Sequence, residues 1–189
     1  MSKPGWVDDC VVAFPGASSC ICDRVVEEGS LLEKGPGKLF DNATSTLYVN
    51  PSVRCVDVGW FTGGWVRDMM WYLMERANAG WRYAIESMDD VQYATYRQHD
   101  FFEWHSDFRL VRAPEQIRKM TVTVQLSDPG DYVGGDLEFM MNGESYRPLE
   151  FRERGTVVAF ASMLTHRVTP IKSGTRRSCT TWFKGPPFR

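Results

Sequence analysis

Three histidines serve a chain of 189 residues, and two of them stand where they could do chemistry. His105 and Asp107 form a His-x-Asp pair, and His166 follows sixty-one residues after His105. On a β-strand, residues two apart point to the same face, so His105 and Asp107 can reach one metal ion together. Two imidazoles and one carboxylate occupy one face of a metal and leave the other open, a donor set suited to non-haem Fe(II) and O2 chemistry. A His-x-Asp dipeptide is common, however, and three unrelated polar residues at strand ends would give the same spacing. The metal reading needs support from other residues.

Part of that support lies near the C-terminus. Arg176 comes ten residues after His166, and Ser178 two residues further on. On a strand these two share a face, and a guanidinium fork beside a hydroxyl suits a carboxylate held in a dry pocket. Arg177 falls on the opposite face and reads as a solvent-facing cation. Tyr96, nine residues before His105, is a second candidate contact for the same carboxylate. Taken alone, Tyr96 reads equally well as a half-buried strand tyrosine.

The elements that must position these residues divide the chain into a helical first part and a β-rich second part. Ser18 to Leu32 reads as a helix that Ser18 or Ser19 could cap, followed by a loop at Gly35-Pro36-Gly37. Thr62 to Asn78 carries Trp65, Val66, Met69, Met70, Leu73 and Ala77 at helical spacing, with Gly80 just past the expected end. This stripe reads as core packing rather than a cofactor box. Strands are expected at Val91 to Arg97, Met120 to Ser127, Gly135 to Met141, Ser145 to Phe151, Gly155 to Phe160, His166 to Ile171 and Arg176 to Phe183. Asn142-Gly143 is a type I′ hairpin signal, and Lys172 to Thr175 joins the last two strands. Helices followed by seven or eight short strands predict an α+β, mainly β fold, a double-stranded β-helix (jelly roll) with N-terminal supporting helices. One domain is expected over 1–189, with helical support over about 15–80 and the jelly-roll core over about 90–185.

Composition narrows the partners. With 22 basic and 24 acidic residues, the net charge of −2 offers no general attraction to nucleic acid or anionic lipid. No apolar run approaches the roughly 18 residues needed to span a bilayer, so no membrane partner is expected. The N-terminus MSKPGWVDDC lacks the apolar stretch of a signal peptide. Cys10, Cys20, Cys22, Cys55 and Cys179 have no metal-ligand spacing and read as reduced thiols in a cytoplasmic protein. Asn42-Ala-Thr44 matches a glycosylation sequon and is read as a chance match. Nothing in these residues reports an oligomeric state.

From about Phe14 to Gly185 the chain resembles the Fe(II)/2-oxoglutarate-dependent dioxygenases, and among them the prolyl 4-hydroxylase-like branch that includes the PKHD-type hydroxylases of bacteria and phages. The resemblance is carried by Tyr96 followed by Phe102-Glu103-Trp104-His105-Ser106-Asp107. It continues with Leu126-Ser127-Asp128-Pro129 leading to Tyr132-Val133-Gly134-Gly135-Asp136-Leu137. It ends with His166-Arg167-Val168-Thr169-Pro170, Gly174-Thr175-Arg176, and Trp182 before Gly185-Pro186. The resemblance implies that His105, Asp107 and His166 bind Fe(II), that Arg176 pairs with the distal carboxylate of 2-oxoglutarate, and that Tyr96 assists by a hydrogen bond. O2 is then the second cosubstrate, with ascorbate a candidate helper.

One departure stands out. Many relatives carry glycine three residues after the tyrosine, where this chain has His99, a residue that tolerates positive φ better than most. His99 is not assigned to the metal. Gly134-Gly135 is expected to permit a tight turn or a close backbone approach, and Trp104 and Phe108 could wall the site or belong to the core.

The implied reaction is hydroxylation of an unactivated C–H bond with release of succinate and CO2. A prolyl residue of a peptide or protein is the default substrate, with a free amino acid or other small metabolite as the alternative. A non-catalytic metal-binding jelly-roll module would keep the triad but lose the carboxylate grip of Arg176 and Tyr96. A zinc hydrolase on the same ligands would need a further acid or base near the metal, and none stands out.

Overall fold

The computed structural model describes residues 9–41, 43–112 and 115–188; Asn42 of the sequon and the first eight residues lie outside them. Its main strands are β1 (Val11–Pro15), β2 (Asp57–Phe61), β3 (Val91–Tyr96), β4 (Phe101–His105), β5 (Glu115–Gln125) and β6 (Tyr132–Gly134). They continue with β7 (Leu137–Met141), β8 (Glu144–Tyr146), β9 (Thr156–Ala161), β10 (Thr165–Val168), β11 (Ile171–Gly174) and β12 (Arg176–Gly185). Two helices among the described residues support them, α1 (Ser19–Ser30) and α2 (Trp65–Trp81).

The larger sheet runs β1-β9-β5-β12-β3-β2 and ends on the short strand Gly35–Pro36. The smaller runs β8-β7-β10-β4 and ends on Arg54–Cys55. β6 and β11 form a separate antiparallel pair. This is the expected mainly β jelly roll.

The period-2 alternation of the long strands decides which residues face which layer. On β5, Met120, Val122 and Val124 join the core formed with the helices, as do Cys179 and Phe183 of β12. The intervening Thr121 and Thr123, and Arg176, Ser178, Thr180 and Trp182 of β12, line a cavity on the opposite face. Val66, Met70, Leu73, Met74 and Ala77 of α2 are all buried against the first face. Burying each larger aliphatic side chain stabilises by about 2 kcal/mol. α1 starts where a side-chain cap exists, since Ser18 Oγ accepts from the Ile21 amide.

The structure corrects the sequence reading in four places. Strands do not simply follow helices: β1 pairs with β9, and β2 lies between the helices in sequence and pairs with β3. β1 is a short edge strand closed by Pro15, too brief to show a period. Gly80 lies inside α2, which ends instead at Arg82 in the left-handed region (φ 55°). The Asn142-Gly143 hairpin closes at Met141↔Glu144 with positive φ at both central residues, but its second strand stops at Tyr146 and gives way to a 3-10 turn at Leu149–Arg152. Pro148 interrupts the pairing there. Finally, Lys172-Ser173-Gly174 belongs to β11 rather than to a turn alone.

Candidate metal centre

β4 and β10 are antiparallel neighbours, and their pairing sets His105 directly opposite His166. Asp107 lies two residues past His105, just beyond the end of β4. Ligand atoms of the three residues all fall within 4.8 Å of one another. Asp107 Oδ2 is 3.4 Å from His166 Nε2, and its Oδ1 is 3.8 Å from His105 Nε2. The sixty-one residues that separate the histidines in sequence thus close to one ladder rung.

Both imidazoles are oriented by backbone. His105 Nδ1 lies 2.7 Å from the Glu103 carbonyl and His166 Nδ1 2.9 Å from that of Leu164. Donation of Nδ1–H to those oxygens leaves each Nε2 lone pair turned to the centre, as a metal ligand requires. Burial and the neighbouring His166 push the His105 pKa down to about 3, so its ring is neutral at any working pH. Burial by itself would raise the Asp107 carboxyl, but His166 and His105 outweigh it and hold the group ionised. Thr121 Oγ1 donates to Asp107 Oδ2 at 2.8 Å and is itself 3.1 Å from Ser162 Oγ. Two imidazoles and one fixed carboxylate fit a divalent iron.

A narrow cavity runs inward from these ligands. Tyr96 and Arg176 line it from adjacent strands, as Cα partners of the β3–β12 ladder. Arg176 is 4% exposed, its Cζ lies 5.5 Å from the Tyr96 ring centre, and its Nη1 is buried with no hydrogen-bond partner. A buried guanidinium nitrogen without a partner costs free energy unless an acceptor arrives. Ser178 lines the same cavity, buried, two residues along β12. Burial raises the Tyr96 hydroxyl pKa, so it remains a neutral donor. Gly135 (φ +64°) passes so near that a Cβ there would sit 2.3 Å from Ile171 Cδ1 and 3.2 Å from Arg176 Cδ. This is the close backbone approach expected of the Gly134-Gly135 pair.

His99 adopts φ +74°, points outward and takes no part in the centre. The turn therefore forms with histidine at this position, closed by His99 N–H donating to the Ile171 carbonyl. Phe108 lines a groove outside the metal. Trp104 instead lies under the Arg167 guanidinium, 4.5 Å from ring centre to Cζ.

Three residues escaped the sequence reading. Thr121 could have been found, because the apolar alternation of Met120, Val122 and Val124 forces it onto the cavity face. Phe102 stacks on His105 with ring centres 3.5 Å apart and planes 13° from parallel. Arg54 covers the other side of Phe102 at 4.4 Å and is 7% exposed. Arg54 sits on a two-residue strand, which carries no periodic signal.

Comparison with known proteins agrees with this geometry. The family model of the 2OG-Fe(II) oxygenase superfamily matches residues 91–184, which include all three ligands, Tyr96 and Arg176. A PKHD-type hydroxylase of Synechococcus sp. (strain CC9605) is 37% identical over 84 residues, 44% of this chain and 36% of that protein. One of Acinetobacter baumannii (strain ATCC 17978) is 36% identical over 91 residues, 46% of this chain and 39% of that protein. The match thus spans under two fifths of the length of either hydroxylase. Among solved structures, a prolyl hydroxylase of Trichoplax adhaerens in complex with a hypoxia inducible factor peptide superposes with TM-score 0.72 at 19% identity, covering 94% of this chain and 85% of that one. A viral collagen prolyl hydroxylase from Paramecium Bursaria Chlorella virus-1, in complex with 2OG, gives TM-score 0.67 at 20% identity, covering 93% and 96%. These structures share the fold.

Proposed function

We propose that this chain, whose residues 91–184 match the 2OG-Fe(II) oxygenase superfamily model, is a 2-oxoglutarate-dependent dioxygenase that hydroxylates an unactivated C–H bond, by default in a prolyl residue of a peptide or protein. The observation that carries the reading is the buried, partnerless Nη1 of Arg176 in the same cavity as the His105, Asp107 and His166 cluster. A metal-binding module without catalysis has no use for such a guanidinium. A dicarboxylate that reaches from metal to Arg176 answers it.

In this reading His105, Asp107 and His166 hold Fe(II). Arg176 receives the distal carboxylate of 2-oxoglutarate as a charge-assisted pair, and the Tyr96 hydroxyl and Ser178 complete its surroundings. When bound, iron and 2-oxoglutarate supply oxidation by O2 coupled to decarboxylation, with succinate and CO2 as products. The protein's part is positional. The two carbonyl-anchored imidazoles present Nε2 without a proton, and Thr121 fixes the Asp107 carboxylate so that one oxygen faces the metal. Apolar walls at Phe160, Leu137 and Val168 exclude water from the cavity and strengthen the Arg176 pair. A peptide substrate accords with the open groove beside the metal and with the peptide complex of the Trichoplax neighbour. A cytoplasmic location belongs to the same proposal, in keeping with five free cysteines.

The test is succinate release by purified protein with Fe(II), ascorbate, 2-oxoglutarate and proline-containing peptides. Turnover that requires both iron and 2-oxoglutarate is expected. No turnover under any condition, together with no change in anaerobic Fe(II) absorbance on adding 2-oxoglutarate, removes the proposal. Arg176→Ala is expected to weaken 2-oxoglutarate binding about 100-fold while iron still binds. Loss of iron with unchanged cosubstrate affinity contradicts the role given to Arg176.

A further inference from the structure

Among the described residues, the groove that opens beside the metal centre carries more positive than negative charge. Arg109, just past the metal loop, has a buried Nε without a hydrogen-bond partner, and its Cζ stacks 3.5 Å from the Phe40 ring centre. Asp89, whose charge reaches Arg109, is already held by Arg118 at 2.6 Å and Lys184 at 2.7 Å. Asp90 is held by Arg67 at 2.6 Å, and Asp107 faces the two histidines. Among the described residues Glu33 is the remaining acid on the groove, against Lys34, Lys38, Arg54 and Arg109. Arg54 repeats the pattern nearer the metal. Its Nη1 and Nη2 are bound to the Lys38 carbonyl (2.7 Å) and Gln92 Oε1 (2.8 Å), whereas its Nε is buried without a partner. The surplus is local, since the chain as a whole carries −2.

The rest of the groove is built for an extended apolar body. Leu47, Tyr48, Trp60 and Phe108 line it and remain 60%, 45%, 41% and 42% exposed. It is many times larger than the inner cavity, far beyond the needs of a single amino acid. We propose that this groove receives an acidic peptide segment, with a side-chain carboxylate of the substrate seated on Arg109 and Arg54 taking a second acceptor closer to the metal. The assignment rests on the oxygenase reading above and adds the substrate class. An arginine already flattened on an aromatic ring has lost part of its side-chain freedom, and its free edge matches a carboxylate better than a neutral amide.

The experiment uses protein loaded with Mn(II) and 2-oxoglutarate without O2. Two fluorescein-labelled pools of proline-centred peptides are titrated by anisotropy, one with Glu at the flanking positions and one with Gln at the same positions. The Glu pool is expected to bind about tenfold more tightly at low salt. That preference should fall as salt rises to about 0.5 M, where the screening length is only a few ångströms. In Arg109→Gln it should collapse to within about twofold, and Arg109→Lys, which keeps the charge but loses the stacked planar fork, should retain only part of it. Equal binding of the two pools by the unaltered protein, or a Glu preference that is insensitive to salt or survives in Arg109→Gln, overturns the proposal. The salt titration needs no variant and decides the matter even where Arg109→Gln does not fold. Binding of 2-oxoglutarate is read separately by tryptophan fluorescence. Protein that binds it but does not distinguish the pools sinks the acidic-peptide inference alone, whereas protein that fails to bind it sinks the oxygenase reading.

Discussion

The inner cavity and the outer groove meet at the same metal centre but are built from different material. Tyr96, Thr121, Arg176 and Ser178 sit on long, paired strands of the larger sheet, where a ladder on each side fixes the direction of every side chain. The groove is walled by short pieces: the hairpin of Leu39–Asp41 and Thr46–Tyr48, the two-residue strand Arg54–Cys55, and the segment 106–109 beyond β4. The difference separates two tasks. A fixed set of cosubstrate contacts belongs on rigid ladders, and contacts to a substrate belong on connections that can vary without disturbing them.

Substitutions that act on one region and spare the other would sharpen this contrast. The largest effect is expected at the junction. Asp107→Ala removes the only carboxylate of the cluster and should lower iron affinity by more than about 100-fold, measured by anaerobic titration. Gly135→Val should come next, because φ +64° is strained for a branched residue and the new side chain meets Ile171 and Arg176. A stability loss of about 3 kcal/mol is expected by denaturant unfolding, with weakened 2-oxoglutarate binding in whatever protein remains folded. A folded Gly135→Val protein with unaltered cosubstrate affinity would show that the cavity is less rigid than the ladders imply.

A smaller effect is expected on the groove side at Asp89. Burial would raise its pKa, but Arg118 and Lys184 lower it overall. A depressed folded-state pKa contributes stability that is present above the ordinary carboxylate range near 4 and lost as pH falls through the folded value. Asp89→Asn should therefore cost about 2 kcal/mol at neutral pH and flatten the acid limb of the stability curve below about pH 4. A steep acid limb that survives in the variant would assign it to other carboxylates. Smallest of all, Leu47→Ser on the exposed hairpin should change stability by less than about 0.5 kcal/mol while raising the KM for a peptide several-fold. A change in 2-oxoglutarate affinity there would break the separation between the two regions.

The same division explains what could be read from the sequence. His105, Asp107, His166 and Arg176 were legible from their spacings and from the family resemblance that joined them, although Asp107 lies past the end of β4, where strand period no longer places it. The groove was not legible. Its two- and three-residue strands are too short for a period, and Arg54 and Arg109 acquire meaning only through neighbours distant in the chain, Gln92 and Phe40. The end of α2 was misplaced for a related reason: Gly80 looked like a stop, but the helix continues through it to an Arg82 held in the left-handed region.

The pairing of His105 with His166 across two neighbouring strands also bears on how the protein folds. An ion bound by both side chains would fasten β4 to β10 and close a loop of the chain that contains the whole of β5 to β9. An ion that binds the folded chain and hardly at all the unfolded one stabilises by mass action, so free metal at 100 times Kd would add about 2.7 kcal/mol. The melting temperature would then rise with free metal concentration, and thermal shift would report iron loading before any turnover is measured.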